Sequence, residues 1–330
     1  MFISIIIPVY NIDAHIERCL YSIAKQTYTE YEIIIVDDGS SDNSYDKCLS
    51  FKEKYFHLDI SIIRKLNEGV TAARRDGVKT AKGEWITFVD GDDTIPETAL
   101  EFLMSSVDEG INIVIGAHTL EYQDGAYDFC PNKNIGRFDS KNYIGKFLLW
   151  NVEGAPWAKL FRREILNDAI FDLPRDIKNK EDIIMNLRIA VLQSQDVVFI
   201  EKPVYNYLTN RPDSALTSYI NTFDLDYEIR ILDYLTLALK SEGFIILFKK
   251  EIAFVYLMHI WGWKKKFLQA RKEHIVRLKY FSDFVLINRV SINYLFKVAV
   301  VYFFLLLGYF NNYIFFSQSL ARVKKSLFKS

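Results

Sequence analysis

The 330 residues are 50% hydrophobic and 25% charged, which excludes a disordered tail and a collagen-like fibre and allows roughly two domains. Three cysteines (Cys19, Cys48, Cys130), with neither zinc-ligand nor CxxC spacing, exclude a disulfide scaffold and read as free thiols in a reducing compartment. The net charge of −1 conceals a division: residues 240–330 carry 16 Lys+Arg against 4 Asp+Glu, and residues 1–239 carry 25 against 38. The acidic body is unsuited to nucleic acid, whereas the basic end suits an anionic partner.

The opening run MFISIIIPVY lacks the basic region and cleavage site of a signal peptide. It reads as a first strand at 3–7, closed by Pro8, in a cytoplasmic fold. Asn11 is placed to cap a helix that carries Ile12, Ile16, Leu20 and Ile23 on one face. A second strand at 32–36 runs into Asp37-Asp38-Gly39. A helix at 43–55, a strand at 60–63, a helix at 68–81 and a strand at 84–89 follow. The last of these leads into Asp90-Gly91-Asp92-Asp93. Pro96 lies near the first turn of another helix, and 111–115 reads as a fifth strand. This alternation predicts an α/β fold with a mostly parallel sheet and helices on both faces. Ligands of such sheets bind beyond the carboxyl ends of the strands, where PVYN, DDGS and DGDD fall.

Beyond residue 120 the pattern loosens. Residues 121–145 read as loops and short strands, Glu181–Leu192 as a helix and 222–285 as helical. Residues 298–320 are 23 positions without a charge, flanked by Lys297 and by Arg322, Lys324, Lys325 and Lys329. Trp261 and Trp263 beside Lys264, Lys265 and Lys266 form an interface-like cluster upstream. The basic, aromatic stretch 261–330 is expected to attach to a membrane surface, at the inner face of the cell membrane. A spanning helix, a buried helix and a dimer seam are the alternatives, and the last leaves oligomerisation open.

Several chemistries lack their signatures. No GxGxxG follows the first strand, no GxxxxGK[ST] occurs, and none of the five histidines sits in HExxH. Nicotinamide or flavin binding, a P-loop and a zinc hydrolase are therefore not supported. Carboxylates at strand ends remain. Acids converging on one crevice repel one another unless a cation or a donor-rich ligand offsets them. A hard divalent ion held by one or two carboxylates and completed by substrate phosphates meets that need. The alternative for DGDD is a turn in which Asp93 or Thr94 caps the helix entering at Pro96, and Asp42 suits an Asx-turn.

The run SIIIPVYN…CLYSIAKQTYTEYEIIIVDDGSSDNS…NEGVTAARRDGVKTAKGEWITFVDGDD strongly resembles the family 2 glycosyltransferases, inverting enzymes of the GT-A fold found in bacterial polysaccharide and lipopolysaccharide synthesis. The match is close over 3–105 and continues more weakly through APWAKLFRREIL (155–166), KEDIIMNLRIA (180–190) and Tyr207…Arg211…Ser214. The resemblance implies a catalytic domain over 1–215, with a nucleotide-sugar half at 1–105 and an acceptor half at 106–215, followed by a helical region at 216–330. It implies that Pro8, Tyr10 and Asp38 form the pocket for base and ribose. Asn67, Gly69 and Arg74 would lie near the donor, Asp90 would contact the ribose or metal-bound water, and Asp92 would ligate Mn2+ or Mg2+. It makes Asp182 the base toward the acceptor, with Glu181 and Trp157 on the acceptor side, Trp157 as a stacking platform for a sugar. Arg211 would neutralise the leaving diphosphate. Lys180 stands where the family commonly has glycine. The implied activity is transfer of one sugar from a nucleotide-sugar, a UDP-sugar foremost, to a glycan or lipid-linked acceptor. Two rivals are a non-catalytic sugar-nucleotide scaffold of the same fold and a nucleotidyltransferase; PVYNIDAHIERC lacks the Gly-rich basic loop the latter would use for a triphosphate.

Overall fold

In a computed structural model of the chain, residues 1–149, 151–177, 179–209, 225–241 and 243–247 are described. Two compact units divide it, Met1–Glu242 and Gly243–Ser330. The first takes in the helix Leu225–Ser241, which was expected with the C-terminal region; Ile231, Leu235 and Leu239 are buried there. The stretch 261–330, with its charge-free 298–320, lies outside the described residues, and so does Arg211. Among the described residues no helix is long and apolar enough to cross a membrane.

Apolar runs build the first half of the sheet. β1 (Ile3–Val9) and β2 (Tyr31–Asp37) are buried along their whole length, as strands covered on both faces must be. They pair in parallel with each other, and β3 (Ile60–Arg64) and β4 (Trp85–Phe88) add in parallel on either side. The helices α1 (Ile16–Ala24), α2 (Ser44–Lys54) and α3 (Val70–Thr80) make the connections. α1 buries Ile16, Cys19, Leu20 and Ile23. It starts later than expected, because Asn11 does not cap it. Asn11 takes a positive φ of 50° and accepts the Ser41 N–H at 2.8 Å, while the Ile12 carbonyl closes the first turn of the helix.

Past α4 (Ala99–Met104) the sheet becomes mixed. The remaining strands are β5 (Ile111–Glu121), β6 (Tyr127–Cys130), β7 (Gly136–Phe138), β8 (Lys159–Arg162) and β9 (Asp196–Leu208). The strand order is β3-β2-β1-β4-β8-β5-β9-β7, with β6 on β5. β8 runs antiparallel between β4 and β5, and β9 runs parallel to β5. Among the described residues, α5 (Ser140–Leu148), the short α6 (Asp168–Phe171) and α7 (Glu181–Leu192) pack this half, and the helix Leu225–Ser241 lies against α7. The sequence pattern missed β9. Its pairing with β5 passes from Ile115↔Phe199 to Ala117↔Pro203, so residues 200–202 bulge out and the alternation breaks there. β7 pairs only at 197–199, so Pro203, which has no N–H to offer, lies beyond it.

Candidate active site

β1, β2 and β4 are adjacent and parallel, so their carboxyl ends share one edge of the sheet. The Asp38 N–H donates to the Val9 carbonyl at 2.8 Å and draws the first two ends together. Of the residues expected around a base and ribose, Tyr10 is 50% exposed just past β1, whereas Pro8 is buried within the strand opposite Val36. Asp38 is only 3% exposed. Its Oδ1 and Oδ2 accept the backbone N–H groups of Glu68 (2.9 Å) and Gly69 (2.7 Å). Burial pushes its carboxyl upward, against those two amide bonds and Lys65. Each oxygen keeps a second lone pair for a ligand donor. The Asx-type turn belongs to Asp42, whose Oδ1 accepts the Ser44 N–H at 3.0 Å.

Gly39 explains why this edge closes. Its φ is +79°, and a Cβ would stand 2.9 Å from the Asn67 nitrogen, so only glycine lets the two loops meet. Asn67 is held from the far side by Arg175, which donates to its carbonyl and, at 3.4 Å, to its Oδ1.

The DGDD turn is fastened to β9. The Asp90 N–H donates to Tyr205 Oη at 3.1 Å, and that hydroxyl donates to Asp93 Oδ2 at 2.7 Å. The Leu208 N–H donates to Asp93 Oδ1, also at 2.7 Å. Asp93 is therefore no helix cap: α4 begins only at Ala99, behind Thr98. Thr94 exchanges backbone hydrogen bonds with Asn206 instead. Burial, with Asp92 and Asp90 close by, holds the Asp93 carboxyl well above the ordinary range. Asp92 is half-buried. Among the described residues no group of three or more His, Cys, Asp or Glu is arranged to hold a metal ion. The protein thus offers a cation few ligands, a pattern that fits Mg2+ or Mn2+ only where substrate phosphates and water complete the shell.

Arg74 brings the two halves together. It is 2% exposed, and its Nη1 and Nη2 donate to Asp182 Oδ1 (2.6 Å) and Asp90 Oδ1 (2.8 Å). It lies on α3 between Ala73 and Gly77, on the face turned to the sheet. A Cβ on Gly77 would stand 2.4 Å from Ile6 Cγ2, which shows how closely the helix approaches. Glu181 and Asp182 open α7, where the helix dipole favours negative charge. Burial raises the Asp182 carboxyl; Arg74 and Lys159 oppose this and Asp90 adds to it. Glu181 is pushed up to about 8 by burial and by Asp182, and its Oε2 has no hydrogen-bond partner among the described residues. Lys180 precedes them at φ 66° and ψ 7°, the left-handed region that glycine enters at less cost.

Trp157 differs from expectation. It is 6% exposed, stacked on Tyr205 (4.7 Å between centroids) and Tyr207 (5.5 Å), with His118 edge-on. A sugar platform needs an open face, and the tyrosines of β9 cover this one. Trp157 instead belongs to the hydrophobic core, with Tyr205 of β9.

Other residues around the site escaped the sequence reading. Lys159 is fully buried, and its Nζ donates to the carbonyls of Glu153 (2.9 Å) and Ala155. Desolvation lowers this ammonium to about 8. Asn186 Nδ2 donates to the Gly154 carbonyl (2.8 Å) and to the Asp182 carbonyl (3.0 Å). Three successive carbonyls are thereby bolted beside the first turn of α7, and a Cβ on Gly154 would stand 2.9 Å from Ile183 Cγ1. A visible signal existed: Lys159 and Asn186 are single polar residues inside the apolar runs WAKLF and IIMNL, where a buried polar group must have partners.

Chemically the arrangement joins a turn-lined edge, open at Tyr10, to a carboxylate of raised proton affinity held one arginine away. The model of the family described as Glycosyl transferase family 2 matches residues 4–169. The putative glycosyltransferase EpsH of Bacillus subtilis is 30% identical over 211 residues, covering 62% of this chain and 60% of that protein. The poly(ribitol-phosphate) beta-glucosyltransferase of Bacillus spizizenii is 34% identical over 218 residues, 64% of this chain and 33% of that protein. The chain thus spans from a third to three fifths of these two relatives. The crystal structure of S. aureus TarS 1–349 in complex with UDP-GlcNAc superposes with a TM-score of 0.65 at 22% identity, over 86% of this chain and 82% of that one; this is a likeness of fold. With the family model covering half its length and the strand-end carboxylates in place, the chain belongs to glycosyl transferase family 2.

Proposed function

We propose that the protein is an inverting glycosyltransferase that moves a single sugar from a nucleotide-sugar, a UDP-sugar, to a glycan or lipid-linked acceptor in cell-surface polysaccharide synthesis. The observation that carries this reading is the Arg74 bridge, which sets the DGDD turn and the α7 carboxylate within one guanidinium of each other. The UDP-GlcNAc complex of the TarS structure supports the donor class, and the poly(ribitol-phosphate) relative supports a polymeric acceptor. In this reading Tyr10, Asp38 and the 67–69 loop receive base and ribose. Asp92, with the donor's diphosphate, would hold Mn2+ or Mg2+, which supplies Lewis-acid stabilisation of the leaving group. The acceptor hydroxyl gives its proton to Asp182 as its oxygen bonds to the anomeric carbon. The bond from that carbon to the phosphate oxygen breaks on the opposite face, and its electron pair leaves with the nucleotide. Attachment to a membrane surface through 261–330 rests on the basic, aromatic composition of that stretch.

The test is a donor screen. Nucleotide release and donor binding are measured for UDP-, GDP- and CMP-sugars, with Mn2+ and with chelator. Metal-dependent release from a UDP-sugar is expected. Absence of both release and metal-dependent binding for every donor overturns the enzyme reading. Asp182→Asn should keep donor binding and lose transfer by about 10²- to 10⁴-fold; full transfer by that variant removes Asp182 as the base.

A further inference from the structure

We propose that Arg74 is a positioning residue for the transfer step: its buried fork, anchored on Asp90, holds the Asp182 carboxylate ionised and aimed at the acceptor. This rests on the transferase reading above for the identity of Asp182 as the base. Arg74 is itself buried, while Asp182 and Asp90 retain 26% and 25% exposure. The carboxylates face the opening and the cation stands behind them. A guanidinium is planar and its donors are fixed relative to one another, so anchoring one arm on Asp90 sets the direction of the other. That arm takes Oδ1 of Asp182 and leaves Oδ2 for the incoming hydroxyl.

The charges around Asp182 show why a cation must stand there. Asp90 reaches it from the end of β4 and Glu181 from its own helix, both acids; Lys159 reaches it from β8 and Arg74 from α3. Lys159 is already committed to the Glu153 and Ala155 carbonyls. Arg74 alone among these groups hydrogen-bonds the Asp182 carboxylate. Without it, burial and the neighbouring Asp90 would favour the protonated form, which cannot accept a proton.

The proposal is read by titration, which needs neither donor nor acceptor. The full chain is labelled with [13Cγ]aspartate, and the Asp182 carboxyl signal is assigned by its absence in Asp182→Asn. Its midpoint is then followed by NMR in the wild type, Arg74→Gln and Arg74→Lys. Loss of the cation should raise the midpoint by about 1–3 pH units in Arg74→Gln, and loss of the fork should raise it by a smaller step in Arg74→Lys. An unchanged midpoint in the folded variants overturns the proposal and leaves Arg74 a structural tie. Should Arg74→Gln not fold, Arg74→Lys, which keeps a cation in the interior, decides alone. A failed donor screen leaves this titration intact, and a failed titration leaves the transferase reading intact, so the two failures are distinguishable.

Discussion

The first part of the chain, 1–105, and the part that follows it reach the same edge of the sheet by different means. The first uses backbone: parallel strands of uniform burial end in turns, and the turns are closed by glycine and by amides bonded to Asp38. The second uses interior polar side chains, with Lys159, Asn186 and Tyr205 each satisfying groups that no regular ladder reaches. A backbone-built site tolerates changes of surface side chain and fails at its glycines. A site built from buried polar groups fails whenever one partner is removed, because the other then stays buried and unpaired.

Arg74→Met breaks this contrast hardest, since it strands two acids of different halves beside each other. A loss of about 3–5 kcal/mol in unfolding free energy is expected, read by urea denaturation. Gly39→Ala probes the backbone-built side. Its positive φ and the 2.9 Å approach to Asn67 N predict a cost of about 1–3 kcal/mol, with donor affinity falling in a calorimetric titration. A stability equal to wild type would show that the 65–67 loop gives way.

Glu181→Gln sharpens the other side through pH. The folded-state carboxyl is raised from 4.5 to about 8. Its contribution is fully present below pH 4.5 and lost as pH rises through about 8, because the unfolded chain releases the proton more readily. Thermal melts at pH 5 and 8.5 should show a larger drop for wild type than for Glu181→Gln, since a tenfold change in proton affinity between folded and unfolded chain is worth about 1.4 kcal/mol. Lys180→Gly gives the smallest effect. Relief of the left-handed backbone, offset by glycine's added freedom in the unfolded state, should stabilise by about 1 kcal/mol or less, read as a rise in melting temperature.

The sequence carried the first half clearly, because its strands are plain apolar runs and its acids fall at the strand ends. α5 was also there to be read: Asp139 caps it at Asn142 N, and Tyr143, Ile144, Phe147 and Leu148 repeat at helical spacing. β9 was hidden by the extruded 200–202 and by Pro203, since a bulge erases the alternation that marks a strand. Only the resemblance placed Arg74 near the donor, because nothing local distinguishes a buried arginine on a helix. Only the closeness of α3 to β1 at Gly77 and the two acids arriving from 16 and 108 positions away define its place. Trp157 misled for a related reason: an aromatic beside a site reads as a platform until the tyrosines of β9 are laid over it.

The tie between the DGDD turn and β9 also sets an order of birth. Asp90 and Asp93 are completed by Tyr205 and Leu208, 115 positions later for both the Asp90–Tyr205 and the Asp93–Leu208 bonds. At about 5–20 residues per second the ribosome delivers those partners roughly 6–23 s after the turn itself. The parallel strands have that interval to assemble while the turn waits unfastened. On a nascent chain the turn at the end of β4 is fastened only when β9 has also emerged.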